Sequence, residues 1–130
     1  VISAERPDMV IVQGDTTTTL CGALAAFYQR IPVAHVEAGL RTWDLEQPFP
    51  EEMNRVLTGK LSRLHFAPTE WAASNLRNEG VRAENVSVTG NTGIDALFYI
   101  RRQLECGALP RPQWPFLDPG RKLLLITGHR

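Results

Sequence analysis

The chain has 130 residues, 43% hydrophobic and 22% charged, enough apolar content to bury a core of ordinary domain size and the opposite of a disordered composition. Fourteen basic residues balance fourteen acidic ones. Broad binding to nucleic acid or to a membrane surface is therefore not expected, although a local basic patch survives such a sum. The two cysteines, Cys21 and Cys106, show neither disulfide nor metal-ligand spacing and read as reduced thiols of a cytoplasmic protein. No apolar run is long enough to span a bilayer, and no signal-peptide pattern is seen.

In chain order, Val1 to Ala4 reads as the tail of a helix, and Met9 to Val12 as a buried parallel strand that Gly14 breaks. A helix follows from Thr17 to Gln29 and is closed by Pro32. Val33 to Val36 is the second strand. Pro50 to Leu61 is the next helix, with proline at its first position and Glu51 and Glu52 facing the positive helix end. Leu64 to Ala67 is the third strand. Thr69 caps a helix over residues 70–78, which Gly80 closes. Val86 to Val88 is the fourth strand, and a helix runs over residues 93–105 to Gly107. Residues 108–119, rich in proline and carrying Trp114 and Phe116, form a surface connection to a fifth strand, Leu123 to Ile126. Strands alternating with helices specify an α/β fold with a doubly wound parallel sheet. A domain boundary is expected near Gly90, and the abrupt ends suggest a segment of a longer protein.

Ligands of open α/β sheets bind beyond the carboxyl ends of the strands. Asp15 follows the first strand, Glu37 the second, and His129 the last, while Glu51 and Glu52 open a helix after the loop Gln47-Pro48-Phe49-Pro50. Crowded carboxylates supply an acid and a base, and a histidine extends that range near neutrality. Each residue also has a plainer role. Asp15 could cap the following helix, as isolated aspartates before Thr-rich starts commonly do. His35, inside a strand, is better read as a buried structural histidine. One of Glu51 and Glu52 is expected to be only a first-turn charge. Glu37, before Ala38-Gly39, is hardest to explain structurally. Arg41 and Arg55 are surface charges, or else hold a phosphate or a carboxylate. Gly14-Asp15-Thr16 and Thr89-Gly90-Asn91-Thr92 both lead from strand to helix, where free N–H groups favour anions, but neither is a full nucleotide fingerprint.

The motifs Gly14-Asp15-Thr16-Thr17-Thr18-Thr19, His35-Val36-Glu37-Ala38-Gly39-Leu40-Arg41-Thr42, Pro50-Glu51-Glu52-Met53-Asn54-Arg55, His65-Phe66-Ala67-Pro68-Thr69, Val88-Thr89-Gly90-Asn91-Thr92 and Thr127-Gly128-His129-Arg130, in that order and spacing, closely resemble the bacterial non-hydrolysing UDP-N-acetylglucosamine 2-epimerases. The resemblance covers nearly the whole chain. It implies a two-domain fold of the glycosyltransferase-B type built from Rossmann-like three-layer sheets, with residues 1–90 the later half of the first domain and 91–130 the start of the second, nucleotide-binding one. It implies interconversion of UDP-N-acetylglucosamine and UDP-N-acetylmannosamine through elimination and re-addition of UDP with inversion at C2, without cofactor or metal. By motif, Asp15, Glu37, Glu51 and His129 carry over as the acid–base set, with Arg130 and Arg41 as substrate-side candidates. A cytoplasmic homodimer supplying UDP-N-acetylmannosamine to surface polysaccharide synthesis is the implied setting.

The family's N-terminal Gly-Thr-Arg-Pro-Glu loop and most of its second domain are absent from these 130 residues. The alternatives are an inactive remnant serving at most as a binding module, a glycosyltransferase of the same fold, and a hydrolysing epimerase.

Overall fold

The computed structural model describes residues 2–118 and 120–128, in two compact units, Val1–Thr92 and Gly93–Arg130. The first unit opens with a single helical turn, α1 (Ile2–Glu5), and then alternates β1 (Val10–Gln13), α2 (Thr17–Tyr28), β2 (Val33–Val36), α3 (Glu51–Leu61), β3 (Leu64–Ala67), α4 (Glu70–Asn78) and β4 (Val86–Val88). The four strands form one parallel sheet in the order β1-β2-β3-β4. Successive strands are neighbours, so right-handed crossovers place α2, α3 and α4 on the same face. On that face α2 packs on β1 and β2, α3 on β2, and α4 on β3 and β4.

Two apolar clusters hold this layer together. Val12, Val33, Ala23 and Ala26 lock α2 to the first two strands, and Ala38, Ala67, Ala72, Ala73 and Leu76 lock α4 to the later ones. The small residues bring helix and sheet close. Gly39 shows how close: with φ +89, a Cβ there would lie 2.2 Å from the Ala72 carbonyl oxygen. Only glycine fits, because both the backbone angle and the contact exclude a side chain. In the pleat, Val12, His35 and His65 share the helix-covered side through their register, whereas Ile11 points to the other side and is 67% exposed.

Threonines cap α2 and α4. Thr16 Oγ1 accepts from Thr19 N at 3.3 Å at the start of α2, and Thr69 Oγ1 accepts from Ala72 N at 3.2 Å at the start of α4.

In the second unit α5 (Thr92–Glu105) is followed by turns and extended chain. Leu97, Ile100 and Leu104 of α5, with Pro112 and Trp114, line a groove of about 470 Å³. The fifth strand expected at Leu123 to Ile126 is not formed. These residues are 66–82% exposed and make no ladder among the described residues. An apolar run supplies surface for a sheet to bury, but a strand needs a neighbouring backbone to bond.

Candidate active site

Gly14 ends β1 at φ +77 and its N–H still bonds the Val36 carbonyl at 3.0 Å, so the chain turns out of the sheet beside the end of β2. Asp15 is the next residue. It does not cap α2. Thr16 does so, and the Thr19 hydroxyl donates to the Gln13 carbonyl at 2.6 Å, so the threonines satisfy the turn and leave the Asp15 carboxylate free for other work. That carboxylate meets α3. Arg55 Nη2 lies 2.8 Å from Asp15 Oδ2, and Asn54 Nδ2 donates to the Asp15 carbonyl at 2.9 Å. Adjacent residues of one helix thus hold both the backbone and the side chain of Asp15.

Glu52 completes this arrangement. It is 1% exposed, and its Oε1 accepts from the backbone N–H groups of Thr42 at 2.9 Å and Trp43 at 3.1 Å. Its Oε2 faces Arg55 Nε at 3.4 Å, an ion pair without hydrogen-bond geometry. The loop it anchors departs from β2 through two left-handed non-glycine residues, Glu37 and Trp43, each at φ +67. The Thr42 hydroxyl donates to the Gln47 carbonyl across the same loop.

Glu37 is half-buried, and its carboxylate oxygen lies over Gly14, 3.7 Å from where a Cβ would stand there. Asp15 and Glu37 therefore share one corner of the sheet, at the carboxyl ends of two paired strands. Glu51 is half-buried on the first turn of α3, the helix that holds Asp15. Among the described residues no group of three or more His, Cys, Asp or Glu side chains is placed to hold a metal ion. His129 and Arg130 lie outside the described residues.

Beneath this corner His35 is fully buried, with its Nε2 donating to the Gly14 carbonyl at 2.8 Å. Nδ1 is then the acceptor nitrogen, and it finds no partner among the described residues. Burial pushes the His35 pKa down against the opposing effects of the Gly14 bond and Asp15, so the ring is neutral and braces the turn before Asp15. His65, its neighbour in register across β2 and β3, is pushed down to about 4, first by burial and then by His35.

Arg41 stands apart. Its side chain is 1% exposed and is gripped by Glu79, with Nε to Oε1 at 2.6 Å and Nη2 to Oε2 at 3.0 Å, while Nη1 donates to the Leu40 carbonyl at 2.8 Å. Burial alone would raise the Glu79 pKa, but Arg41, with help from Lys60, holds it below the usual carboxylate range. The arginine beside the carboxylates is Arg55. Of the roles open to Arg55 in the sequence, a surface charge or a holder of phosphate or carboxylate, the structure shows the last, and Glu52, the member of Glu51-Glu52 expected to be a helix-end charge, is buried. The available signal was the Glu52/Arg55 spacing of i,i+3, which places both on one face of α3. What α3 faces is a tertiary fact.

Comparison with known proteins points to one family. The family model described as UDP-N-acetylglucosamine 2-epimerase matches residues 1–130. The UDP-N-acetylglucosamine 2-epimerase of Escherichia coli K12 is 53% identical over 100% of this chain, and that of Salmonella typhimurium 57% over 96%. The chain spans 36% and 34% of their respective lengths, about a third of these curated relatives. Among solved structures, Neisseria meningitidis UDP-GlcNAc 2-epimerase bound to UDP-GlcNAc superposes with a TM-score of 0.78 at 53% identity, covering 82% of this chain and 29% of that one. The Methanocaldococcus jannaschii enzyme in complex with UDP-GlcNAc and UDP gives 0.75 at 50% identity, covering 80% and 28%. With its parallel α/β sheet, its carboxylate-lined strand ends and a family match along its whole length, the chain belongs to the UDP-N-acetylglucosamine 2-epimerase family.

Proposed function

We propose that the protein carrying this chain interconverts UDP-N-acetylglucosamine and UDP-N-acetylmannosamine, and that this segment supplies the carboxylates of the acid–base machinery. The observation that carries the reading is the sheet corner that holds Asp15, pinned by Arg55 and Asn54, and Glu37, whose carboxylate lies over the adjacent Gly14, with Glu51 on the first turn of the helix that pins Asp15. A base removes the C2 proton, the C1–O bond breaks with departure of UDP, and 2-acetamidoglucal remains. UDP then re-adds as an acid returns a proton to the other face of C2. The electron pair of the C2–H bond becomes the ring double bond and the leaving oxygen takes the C1–O pair, so the step balances without an oxidant. Asp15, Glu37 and Glu51 are the carboxylates that serve as base and acid at C2. His129 stabilises the departing diphosphate, with Arg130 on the nucleotide side.

In this reading residues 1–90 are the later half of an N-terminal Rossmann-like domain and residues 91–130 begin the nucleotide-binding domain. The parent is a cytoplasmic homodimer whose product feeds surface polysaccharide synthesis. Arg41 serves the fold rather than the substrate, because its guanidinium is already held by Glu79 in the interior.

A protein of the relatives' length that contains this chain, incubated with UDP-N-acetylglucosamine in deuterated water, is expected to form UDP-N-acetylmannosamine with deuterium at C2. Folded protein that gives neither product nor exchange overturns the proposal. Release of free N-acetylmannosamine marks a hydrolysing enzyme instead.

A further inference from the structure

We propose that Glu52 is a positioning residue for this reaction, orienting the Asp15 carboxylate through Arg55 and the Glu37 loop through the backbone of Thr42 and Trp43; the inference rests on the epimerase reading above. A glutamate that merely complements a helix dipole sits in water on the first turn. Glu52 occupies that turn but is 1% exposed, and burying a carboxylate is expensive unless specific donors meet it. The donors here are two backbone N–H groups of the loop after β2, both on Oε1, while Oε2 faces the guanidinium of Arg55.

One guanidinium therefore bridges two carboxylates of unequal mobility. Glu52 is locked in the interior, whereas the Asp15 side chain is 32% exposed. The Arg55 side chain is 12% exposed, and with Nε toward Glu52 its Nη2 is directed at Asp15 Oδ2, 2.8 Å away. The Asp15 backbone is held separately, by Asn54 at its carbonyl. Losing the Glu52 charge would thus free the Asp15 side chain while its backbone stays in place. The other Glu52 oxygen, Oε1, pins the Thr42–Trp43 turn, whose chain leads back to Glu37. A single buried side chain sets the relative placement of two groups assigned to the chemistry, without touching the substrate.

The test uses the whole protein that carries this chain, assayed for epimerisation of UDP-N-acetylglucosamine. Glu52→Gln keeps an oxygen for Thr42 and Trp43 but removes the charge that orients Arg55. It is expected to lower kcat about 10–100-fold, the scale of a small misplacement of catalytic groups, with KM changed by less than about 2-fold. Arg55→Lys, which keeps the charge but loses the planar fork needed to bridge two carboxylates, is expected to do the same. Because both act along one path, adding Glu52→Gln to Arg55→Lys should cost less than about 2-fold more. A purely structural Glu52 would give losses that multiply and would leave soluble protein and melting temperature as the affected quantities. If Glu52→Gln does not fold, Arg55→Lys with wild-type kcat still overturns the proposal. Wild-type kcat in Glu52→Gln, or multiplicative losses in the double variant, also overturns it. A folded wild-type protein that does not epimerise refutes the reaction assignment instead, so the two failures are distinct.

Discussion

Gly39→Ala should be among the most damaging single-methyl changes in the chain, and Gly80→Ala is its control. Both glycines have nearly the same backbone angle, φ +89 and φ +87, so an alanine at either pays the left-handed penalty of about 1–2 kcal/mol. They differ in surroundings. At Gly80 an added Cβ meets nothing within 4 Å, whereas at Gly39 it meets the Ala72 carbonyl oxygen at 2.2 Å, its carbon at 2.8 Å and Leu76 Cδ1 at 3.0 Å. The first two are helix backbone and cannot rotate away, so α4 must move off the sheet. That displacement adds about 1–3 kcal/mol of overpacking strain. It also breaks the buried bond from Asn75 Nδ2 to the Gly39 carbonyl, 3.0 Å long and worth about 1 kcal/mol. The expected losses are about 3–6 kcal/mol for Gly39→Ala and about 1–2 kcal/mol for Gly80→Ala. Urea unfolding followed by circular dichroism reads both as a shift in midpoint at constant slope. Equal midpoints for the two variants would refute the close approach of α4 to the β2 end.

The buried histidines make stability depend on pH. His65 is depressed to about 4 and His35 is also depressed, both below the unfolded value near 6.5, so the unfolded chain binds more protons in that interval. Their contribution is complete above about pH 6.5 and falls below it, for His65 down to about pH 4 with a slope approaching about 1.4 kcal/mol per pH unit, while His35 adds in the same direction. Melting temperatures measured from pH 7 to 4 should fall accordingly, and a flat profile would contradict the burial of both rings. Arg41→Met is expected to cost about 3 kcal/mol because it leaves the Glu79 carboxylate with Lys60 alone, 3.7 Å away, and the double variant Arg41→Met/Glu79→Leu should recover most of that loss in denaturant titrations. No recovery would show that Arg41 acts other than through Glu79. Thr16→Ala should lower stability by about 1 kcal/mol through loss of the α2 cap, and its midpoint shift in urea checks this. A Thr16→Ala protein as stable as wild type would reopen the cap assignment.

Much of the first unit is legible in the chain. Val33–Val36, Leu64–Ala67, Val86–Val88 and the 70–78 helix fall where apolar runs, the Thr69 cap and Gly80 place them, because those signals are local and bounded by strong breakers. The run at Leu123 to Ile126 shows the limit. Its propensity is as strong as that of β2, yet it remains extended and exposed because a strand is a pairing property. Asp15 and Glu37 could be placed at strand ends from pattern alone, since parallel order puts those ends on one edge.

The partners of these carboxylates could not be read that way. By sequence Asp15 suits the α2 cap that Thr16 takes, and Arg41 and Arg55 are indistinguishable as letters. One arginine is drawn into the interior by Glu79, thirty-eight positions along the chain, and the other meets Asp15 across the junction of α2 and α3. Local patterning encodes where each element starts, which face is apolar and which residues emerge at the strand ends, because those depend on neighbours within a few positions. Which charge is buried, which carboxylate is braced and which stays free depend on contacts between distant segments, and for Glu52 the folded structure turns an apparent helix-end charge into the brace of the site.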